Sequence, residues 1–422
     1  MAVTISRPVR RRPVFHPLPV DAVERLTGDA VVITFAVPPR LRAEYHFRAG
    51  QHLTVRLVDP AAGETAGSGT ADGGTADGGT AGSGTEIRRS YSICSTPAEL
   101  ADHGRLRIGV RRVAGGAFTA YATSRLRPGD TVDVMPPLGQ FTTGFDPRRS
   151  RHYAALAAGS GITPVLSILA TGLAVEPQSR FTLIYGNRSA HTVMFAEEIA
   201  DLKDRYPARL QVVHVLSREV QEAELLSGRL DAGRLDRLLD TIVPGASIDE
   251  WFLCGPYGLV IEAQRVLGER GVPPSLVHSE LFHVGESAAS GPVTSAPGSG
   301  DPTAGARAFG DPTAGARAFG DPTAGTPAGV VGTELTVVLD GRASTVVVAP
   351  GERVLDAALR VRAELPYACK GGVCSTCRAR VVAGAVSMAR NFALEPDEVA
   401  AGYVLTCQSS PTTARLTVDY DA

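Results

Sequence analysis

Four cysteines near the C-terminal end, Cys369, Cys374, Cys377 and Cys407, constrain this chain more than any other feature. They read C-x4-C-x2-C and then, after a gap of 29 residues, one more cysteine. That is the plant-type spacing in which four thiolates hold a [2Fe–2S] cluster. Within the loop, Gly371 and Gly372 allow a tight wrap around an inorganic core and turn backbone N–H groups toward its sulfurs. A structural zinc site or a set of unrelated buried thiols are the competing readings. Zinc sites favour paired C-x2-C hairpins, so the spacing favours the iron–sulfur reading. A segment built on such a loop moves electrons one at a time, and the rest of the chain must supply them.

At 422 residues the chain exceeds one ordinary domain, and length alone predicts roughly two to four. A hydrophobic content of 44% lets each bury a core, and a net charge of −2 argues against a nucleic-acid binder or a polybasic membrane anchor. Arg7, Arg10, Arg11 and Arg12 precede no apolar signal region and read as a solvated tail. No stretch approaches the ~18 apolar residues that span a bilayer. The remaining cysteines, Cys94 and Cys254, lie in separate segments and make no disulfide framework. A cytoplasmic protein with no nucleic-acid or membrane partner is the expectation.

Two low-complexity stretches divide the sequence. Residues 61–85, rich in Gly, Thr, Ala and Asp, read as a disordered insertion between strand-like runs at His52–Val58 and Ile87–Ile93. Residues 286–332 carry DPTAGARAFG twice in tandem; one aromatic per ten residues cannot build a solenoid core, so a flexible linker is expected. Three folded segments remain. Residues 14–147 show short alternating runs (Ala30–Val37, Arg105–Arg112, Thr131–Met135) and predict an antiparallel β-barrel. Residues 150–283 alternate apolar strands (Tyr153–Ala157, Phe181–Tyr185, Leu210–Leu216, Trp251–Leu253) with helices beginning near Pro164, Phe195 and Tyr257, which predicts an α/β parallel sheet. Residues 333–422 predict a small α+β domain with strands at Leu335–Leu339, Ser344–Val348 and Arg415–Asp419 and a helix from Val354.

The chemistry-bearing residues fall between these elements. Arg89-Ser90-Tyr91-Ser92 ends a barrel strand, where an arginine suits a pyrophosphate and a tyrosine two residues on shares its face and could stack on an aromatic ring. Alone, the four residues fit a plain hairpin edge equally well. Val110-Arg111 leads into a glycine turn, Gly115-Gly116-Ala117-Phe118-Thr119, whose backbone donors can reach phosphate oxygens. Ala158-Gly159-Ser160-Gly161-Ile162-Thr163-Pro164 follows a strand and opens a helix, a setting for a second pyrophosphate. Cys254-Gly255-Pro256 follows a strand where a parallel sheet presents its ligand crevice, although a buried cysteine is more often a small hydrophobe. Ser217-Arg218 follows another strand and suits a 2′-phosphate, with Glu219 beside it and a plain solvated loop as the competing reading. His278 and His283 stand alone and are not read as catalytic.

Taken in order, RxYS, the GG-x-F-T turn, GSGITP, CGP and the cysteine loop resemble the ferredoxin–NADP reductase superfamily with a C-terminal plant-type ferredoxin domain. The CKGGVCSTC loop is similar, more narrowly, to that of the reductase subunits of phenylacetyl-CoA epoxidase systems. The resemblance implies an FAD-binding barrel, an NADP-binding domain and a β-grasp-like [2Fe–2S] domain, with Cys369, Cys374, Cys377 and Cys407 as iron ligands. It implies that Arg89 and Ser90 meet the FAD, that Tyr91 stacks on its ring and that Ser92 bonds near flavin N5. Val110, Arg111, Gly116, Phe118 and Thr119 would also contact FAD. Gly159, Gly161, Thr163, Gly255 and Pro256 would meet the nicotinamide nucleotide, with Cys254 beside its ring. Glu280 and Phe282 would close the domain over the flavin, and Ser92, Cys254 and Glu280 would form the catalytic set. The 61–85 insertion and the repeat-bearing linker depart from the pattern and fall between its motifs.

NADPH gives up two electrons as hydride and a [2Fe–2S] cluster takes one, so FAD would supply the conversion between them. The expected function is an NADPH-dependent reductase feeding an oxygenase, the di-iron multisubunit epoxidase of phenylacetyl-CoA first, with NADH the less favoured donor and no organic substrate of its own. A reductase for a ring-hydroxylating or ketosteroid oxygenase is the alternative, and a redox-responsive interaction protein is the alternative of a different class.

Overall fold

A computed structural model of the chain describes residues 14–59, 85–243, 248–282, 293–295 and 332–422. The N-terminal arginines, His283, residues 61–84 and all of 286–332 except 293–295 and Gly332 lie outside them. Two compact units emerge, one from 11–288 with 366–376 and the other from 289–365 with 377–422. Among the described residues no helix is long and apolar enough to cross a membrane.

The first unit begins with six strands: β1 (His16–Thr27), β2 (Ala30–Ala36), β3 (His52–Asp59), β4 (Thr85–Ser92), β5 (Arg105–Arg111) and β6 (Thr131–Leu138). They pair antiparallel in the order β4-β3-β6-β1-β2-β5. Ile93 bridges to Ile108 and the Cys94 N–H donates to the Arg107 carbonyl at 2.9 Å, joining the two outer strands and closing the sheet into a barrel. Alternate residues such as Leu18, Ile33, Phe35, Leu53 and Ile108 fill its interior. Helices α1 (Pro97–His103) and α2 (Ala117–Ser124) follow β4 and β5. β3 and β4 pair from His52↔Ser92 out to Asp59↔Thr85, so residues 60–84 join the two strands of one hairpin. Lengthening a loop costs only about 0.6 kcal/mol per doubling, so the hairpin tolerates so long a connection.

The same unit continues with a parallel sheet of β7 (His152–Ala158), β8 (Arg180–Asn187), β9 (Leu210–Leu216), β10 (Glu250–Gly255) and β11 (Val277–Leu281), ordered β11-β10-β7-β8-β9. Helices α3 (Ile162–Val175), α4 (Ala196–Arg205), α5 (Ala232–Thr241) and α6 (Tyr257–Glu269) alternate with the strands. β7 and β10 are buried along almost their whole length, as strands covered on both faces must be. Strand order reverses between β7 and β10, which opens a crevice at their carboxyl ends. The barrel packs directly on α3 and α4. A Cβ on Gly109 of β5 would lie 2.6 Å from Thr163 Cγ2, and Arg107 grips Glu198 through two hydrogen bonds of 2.6 and 3.1 Å. Ser167 Oγ donates to the Ser95 carbonyl at 2.7 Å.

The second unit holds β12 (Val293–Ser295), β13 (Thr333–Leu339), β14 (Arg342–Val348), β15 (Arg378–Ala383), β16 (Val386–Met388), β17 (Tyr403–Leu405), β18 (Ser409–Pro411) and β19 (Arg415–Asp419). A mixed sheet runs β14-β13-β19-β15-β17, with β13 and β19 parallel. Helix α7 (Val354–Leu359) buries Val354, Leu355, Ala357 and Ala358, and a short α8 (Pro396–Ala400) precedes β17. A second sheet, β12-β16-β18, contains an unexpected member. β12 lies inside the stretch read as linker, yet it pairs antiparallel with β16 from Val293↔Met388 to Ser295↔Val386.

Candidate electron-transfer site

Alternation along β4 separates its two arginines. Arg88 is buried beside Glu86, its guanidinium 5.1 Å from the Phe15 ring and 4.2 Å from that of Tyr367 in the 366–376 loop of the same unit. Arg89 is exposed and shares its face with Tyr91. Tyr91 packs on Phe118 at the start of α2, ring centroids 5.2 Å apart. The glycine turn ahead of α2 is organised by Thr119, whose Oγ1 donates to the Gly116 carbonyl at 2.9 Å and accepts from Val113 N at 3.2 Å. Gly116 caps α2 without a side chain, which leaves first-turn N–H groups for an anion. Arg89, Tyr91, Phe118 and the turn form a region with the donors and aromatic face that a flavin dinucleotide needs.

A cavity of about 980 Å³ opens at the crevice of the parallel sheet. Its floor is the Gly159–Gly161 turn, and α3 again starts without a side-chain cap. Gly159 takes φ +55°, in the left-handed region, and a Cβ on Gly161 would lie 2.2 Å from the Cys254 carbonyl oxygen. Only glycine lets this turn lie against β10. Thr163 is buried and donates to the Ser160 carbonyl at 3.0 Å, holding the turn from inside. Gly255, Pro256 and Phe282 also line the cavity. Ser217 lines it and Arg218 does not; the guanidinium-bearing residues at its wall are Arg111, Arg188 and Arg229. Glu219 accepts the Ala190 N–H at 2.8 Å. Arg111, expected against the FAD, thus belongs to the wall of this cavity, because β5 ends at the seam between barrel and sheet.

Barrel and sheet meet at a small polar cluster. Ser92 Oγ donates to Glu280 Oε2 at 2.9 Å, and His52 Nδ1 stands 3.8 Å from Glu280 Oε1. His52 and Ser92 are cross-strand partners, as are Cys254 and Glu280. Cys254 is 1% exposed; burial, then the Glu280 charge, pushes its thiol well above its ordinary range, so it stays protonated at neutral pH. His52 Nε2 is buried with no hydrogen-bond partner, an atom left for a bound group to satisfy. Sequence alone does not mark His52. It looks like one more residue of a strand, and its partner Ser92 follows a long insertion.

The iron-ligand candidates divide between the two units. In the first unit, a hydrogen bond between Cys369 and Cys374 lowers the Cys369 thiol to about 5 against the opposing effect of burial, helped by the Gly371 N–H, 3.3 Å from its sulfur. In the second unit, Thr406, next to Cys407, donates both its N–H and its hydroxyl to the Cys377 carbonyl at 3.2 and 2.9 Å. Among the described residues no group of three or more His, Cys, Asp or Glu side chains is placed to hold a metal ion. A [2Fe–2S] cluster asks for two thiolates on each iron, and Cys369 and Cys374, hydrogen-bonded to each other with one drawn toward the thiolate, fit one half of that demand.

Comparison with known proteins agrees with each part. Residues 337–412 match the family of 2Fe-2S iron-sulfur cluster binding domains, 155–265 the oxidoreductase NAD-binding domain and 79–143 the oxidoreductase FAD-binding domain. The chain is 40% identical over 411 residues to a subunit of the 1,2-phenylacetyl-CoA epoxidase of Escherichia coli (strain K12), covering 97% of this chain and 98% of that protein. It is 31% identical to the ferredoxin reductase component of 3-ketosteroid-9-alpha-monooxygenase from Rhodococcus rhodochrous, covering 96% of each. Among solved structures, phthalate dioxygenase reductase, described as a modular structure for electron transfer from pyridine nucleotides to [2Fe–2S], shares the fold with a TM-score of 0.50 and 20% identity over 96% of this chain and 98% of that one.

Proposed function

Because this chain belongs to the FAD-, NAD- and [2Fe–2S]-domain reductases that serve oxygenases, we propose that it carries electrons from NADPH to the di-iron oxygenase that epoxidises phenylacetyl-CoA. It is an NAD(P)H oxidoreductase, and the finer reading concerns its donor and its acceptor. The observation that carries the reading is the meeting of Ser92, Cys254 and Glu280 beside the cavity, where barrel and parallel sheet join. When bound, FAD supplies the exchange between hydride and single electrons, and the cluster supplies delivery.

The chain's own residues bind and orient. Arg89, Ser90 and the Gly116–Thr119 turn hold the FAD phosphates, Tyr91 packs on its ring, and Val110 supports them from the barrel core. Ser92, fixed by Glu280, keeps its hydroxyl at the reacting edge. Cys254, protonated and buried, adds polarisable bulk without a charge. Gly159, Gly161 and Thr163 shape the pyrophosphate turn, and Phe282 lines the cavity. Ser217 with Arg188 and Arg229 offers donors to a 2′-phosphate, and the Glu219 carboxylate is turned onto the Ala190 N–H. The four cysteines ligate the cluster.

The partner assignment is supported by the 40% identity along nearly the whole chain. Sparing use of cysteine outside the loop supports a cytoplasmic setting. Reconstitution decides the acceptor: the holoenzyme, NADPH and the oxygenase subunits of a phenylacetyl-CoA epoxidase should yield epoxide. Turnover only with a ketosteroid oxygenase would transfer the assignment to that class. No electron transfer to any acceptor would leave the sensing alternative.

A further inference from the structure

Asp29 lies in the tight turn between β1 and β2, on the barrel's rim, where nothing in the sequence marks it as functional. Its Oδ2 accepts the Arg111 Nε–H at 3.0 Å and an Arg188 Nη2–H at 3.1 Å. Arg111 ends β5 of the barrel and Arg188 follows β8 of the parallel sheet, and both line the cavity. One carboxylate oxygen therefore ties a guanidinium from each domain at the same wall. The carboxylate is itself fixed. Thr27 Oγ1 donates to its Oδ1 at 2.9 Å, and the Arg112 N–H donates to the Asp29 carbonyl at 2.7 Å. Burial opposes its ionisation, but the bonds from Arg111 and Thr27 outweigh it and hold the carboxyl below its ordinary range.

Arg111 keeps a donor in reserve. Its Nη2 is buried and has no hydrogen-bond partner. Its Nη1 lies at the glycine turn, where a Cβ on Gly159 would stand 3.1 Å away. With Nε occupied by Asp29, the other edge of the fork remains for an oxyanion resting on that turn. Two cations against one carboxylate leave a net positive charge at this part of the wall, while Asp231 and Glu262 line the cavity elsewhere.

Resting on the dinucleotide reading of this cavity, we infer that Asp29 is a positioning residue for nucleotide binding: it locks Arg111 and Arg188 so that Arg111 presents the edge of its guanidinium away from Nε, with Nη1 at the Gly159 turn, to the pyrophosphate of the nicotinamide dinucleotide. The opposite role is a counter-ion that competes with the phosphates, and the two roles differ in sign. A positioning acceptor strengthens binding and its loss weakens it; a competitor's loss tightens binding.

The test is steady-state NADPH oxidation by the holoenzyme with ferricyanide as acceptor. Asp29→Ala should raise KM for NADPH about five- to twentyfold, the share of one charge-assisted hydrogen bond, with kcat within about twofold. Asp29→Asn keeps an acceptor oxygen and should stay within about threefold of wild type; it also serves as the folded reference if the alanine variant is unstable. Combined with Arg111→Ala, Asp29→Ala should add almost nothing, because the two act through one contact. An unchanged or lowered KM in Asp29→Ala, fully additive losses in the double variant, or an Asp29→Asn variant as impaired as Asp29→Ala overturns the inference. Wild-type enzyme that fails to oxidise NADPH refutes the proposed function itself; wild-type turnover with an unaltered Asp29→Ala refutes only the role of Asp29.

Discussion

Ser92 at the end of β4 and Glu280 on β11 share a 2.9 Å hydrogen bond across 188 residues of sequence, and through it the barrel meets the parallel sheet. The bond holds the Ser92 hydroxyl in one orientation without occupying the cavity. Ser92→Ala should therefore slow flavin reduction by NADPH about 10²-fold while the nucleotide's affinity changes little. Anaerobic stopped-flow at the flavin band separates the two quantities. A rate equal to wild type would remove Ser92 from the reaction.

Gly161 lies where a Cβ would stand 2.2 Å from a backbone oxygen of β10, with no flexible side chain to give way. Gly161→Ala should cost about 1–3 kcal/mol of stability and loosen nucleotide binding by shifting the turn. Gly258 also lines the cavity, but nothing stands within 4 Å of the Cβ it would gain, so Gly258→Ala is the control. Equal thermal midpoints for both variants would show that the turn yields freely.

Choice of donor should reside in Arg229 more than in Arg218, since Arg229 lines the cavity and Arg218 does not. Arg229→Ala should raise KM for NADPH about tenfold or more and leave that for NADH nearly unchanged. Arg218→Ala should have the smaller effect. Equal losses with both nucleotides would detach Arg229 from the 2′-phosphate.

Replacing any of Cys369, Cys374, Cys377 or Cys407 by serine should abolish the cluster's visible absorption and delivery to the oxygenase. Flavin reduction by NADPH should persist, because the residues that bring nucleotide and flavin together lie outside the cysteine loop. Full cluster absorption in all four variants would refute the ligand set.

Acid should weaken the sheet through Glu250. Burial raises its carboxyl, but His278, Thr143 and Arg151 together hold it below the ordinary 4.5. A folded-state value below the unfolded one gives stability that is complete above about 4.5 and lost as pH falls through the folded value. Glu250→Gln should be less stable than wild type at pH 7 and lose less on acidification to pH 3. Parallel pH curves of thermal midpoint for the two proteins would contradict this.

Strong periodicity makes several elements legible: β9 and β19 occupy Leu210–Leu216 and Arg415–Asp419, and α7 starts at Val354, as the apolar spacing predicts. Helix α1 is too short to carry a period, although Thr96, Pro97 and Glu99 spell a capping box, with Thr96 Oγ1 accepting the Glu99 N–H at 3.3 Å. Helix α2 hides behind its glycine turn because no side chain caps it. The glycine turns at Gly116 and Gly159–Gly161 are readable because glycine's conformational freedom leaves a local trace in sequence. His52, Asp29, Arg188 and Arg229 are not, since each is brought to its site by strand pairing or by the seam between domains. β12 has no chance of being seen, as three residues cannot carry a period.

That short strand changes what the tandem repeats can do. β12 and β13 belong to the same unit, so the two DPTAGARAFG copies at 301–320 stand in the sequence between two strands of one body rather than between two bodies. Adding or removing a copy therefore changes the length of chain between two anchored ends, and the registers Val293↔Met388 and Glu334↔Arg415 that anchor them stay as they are.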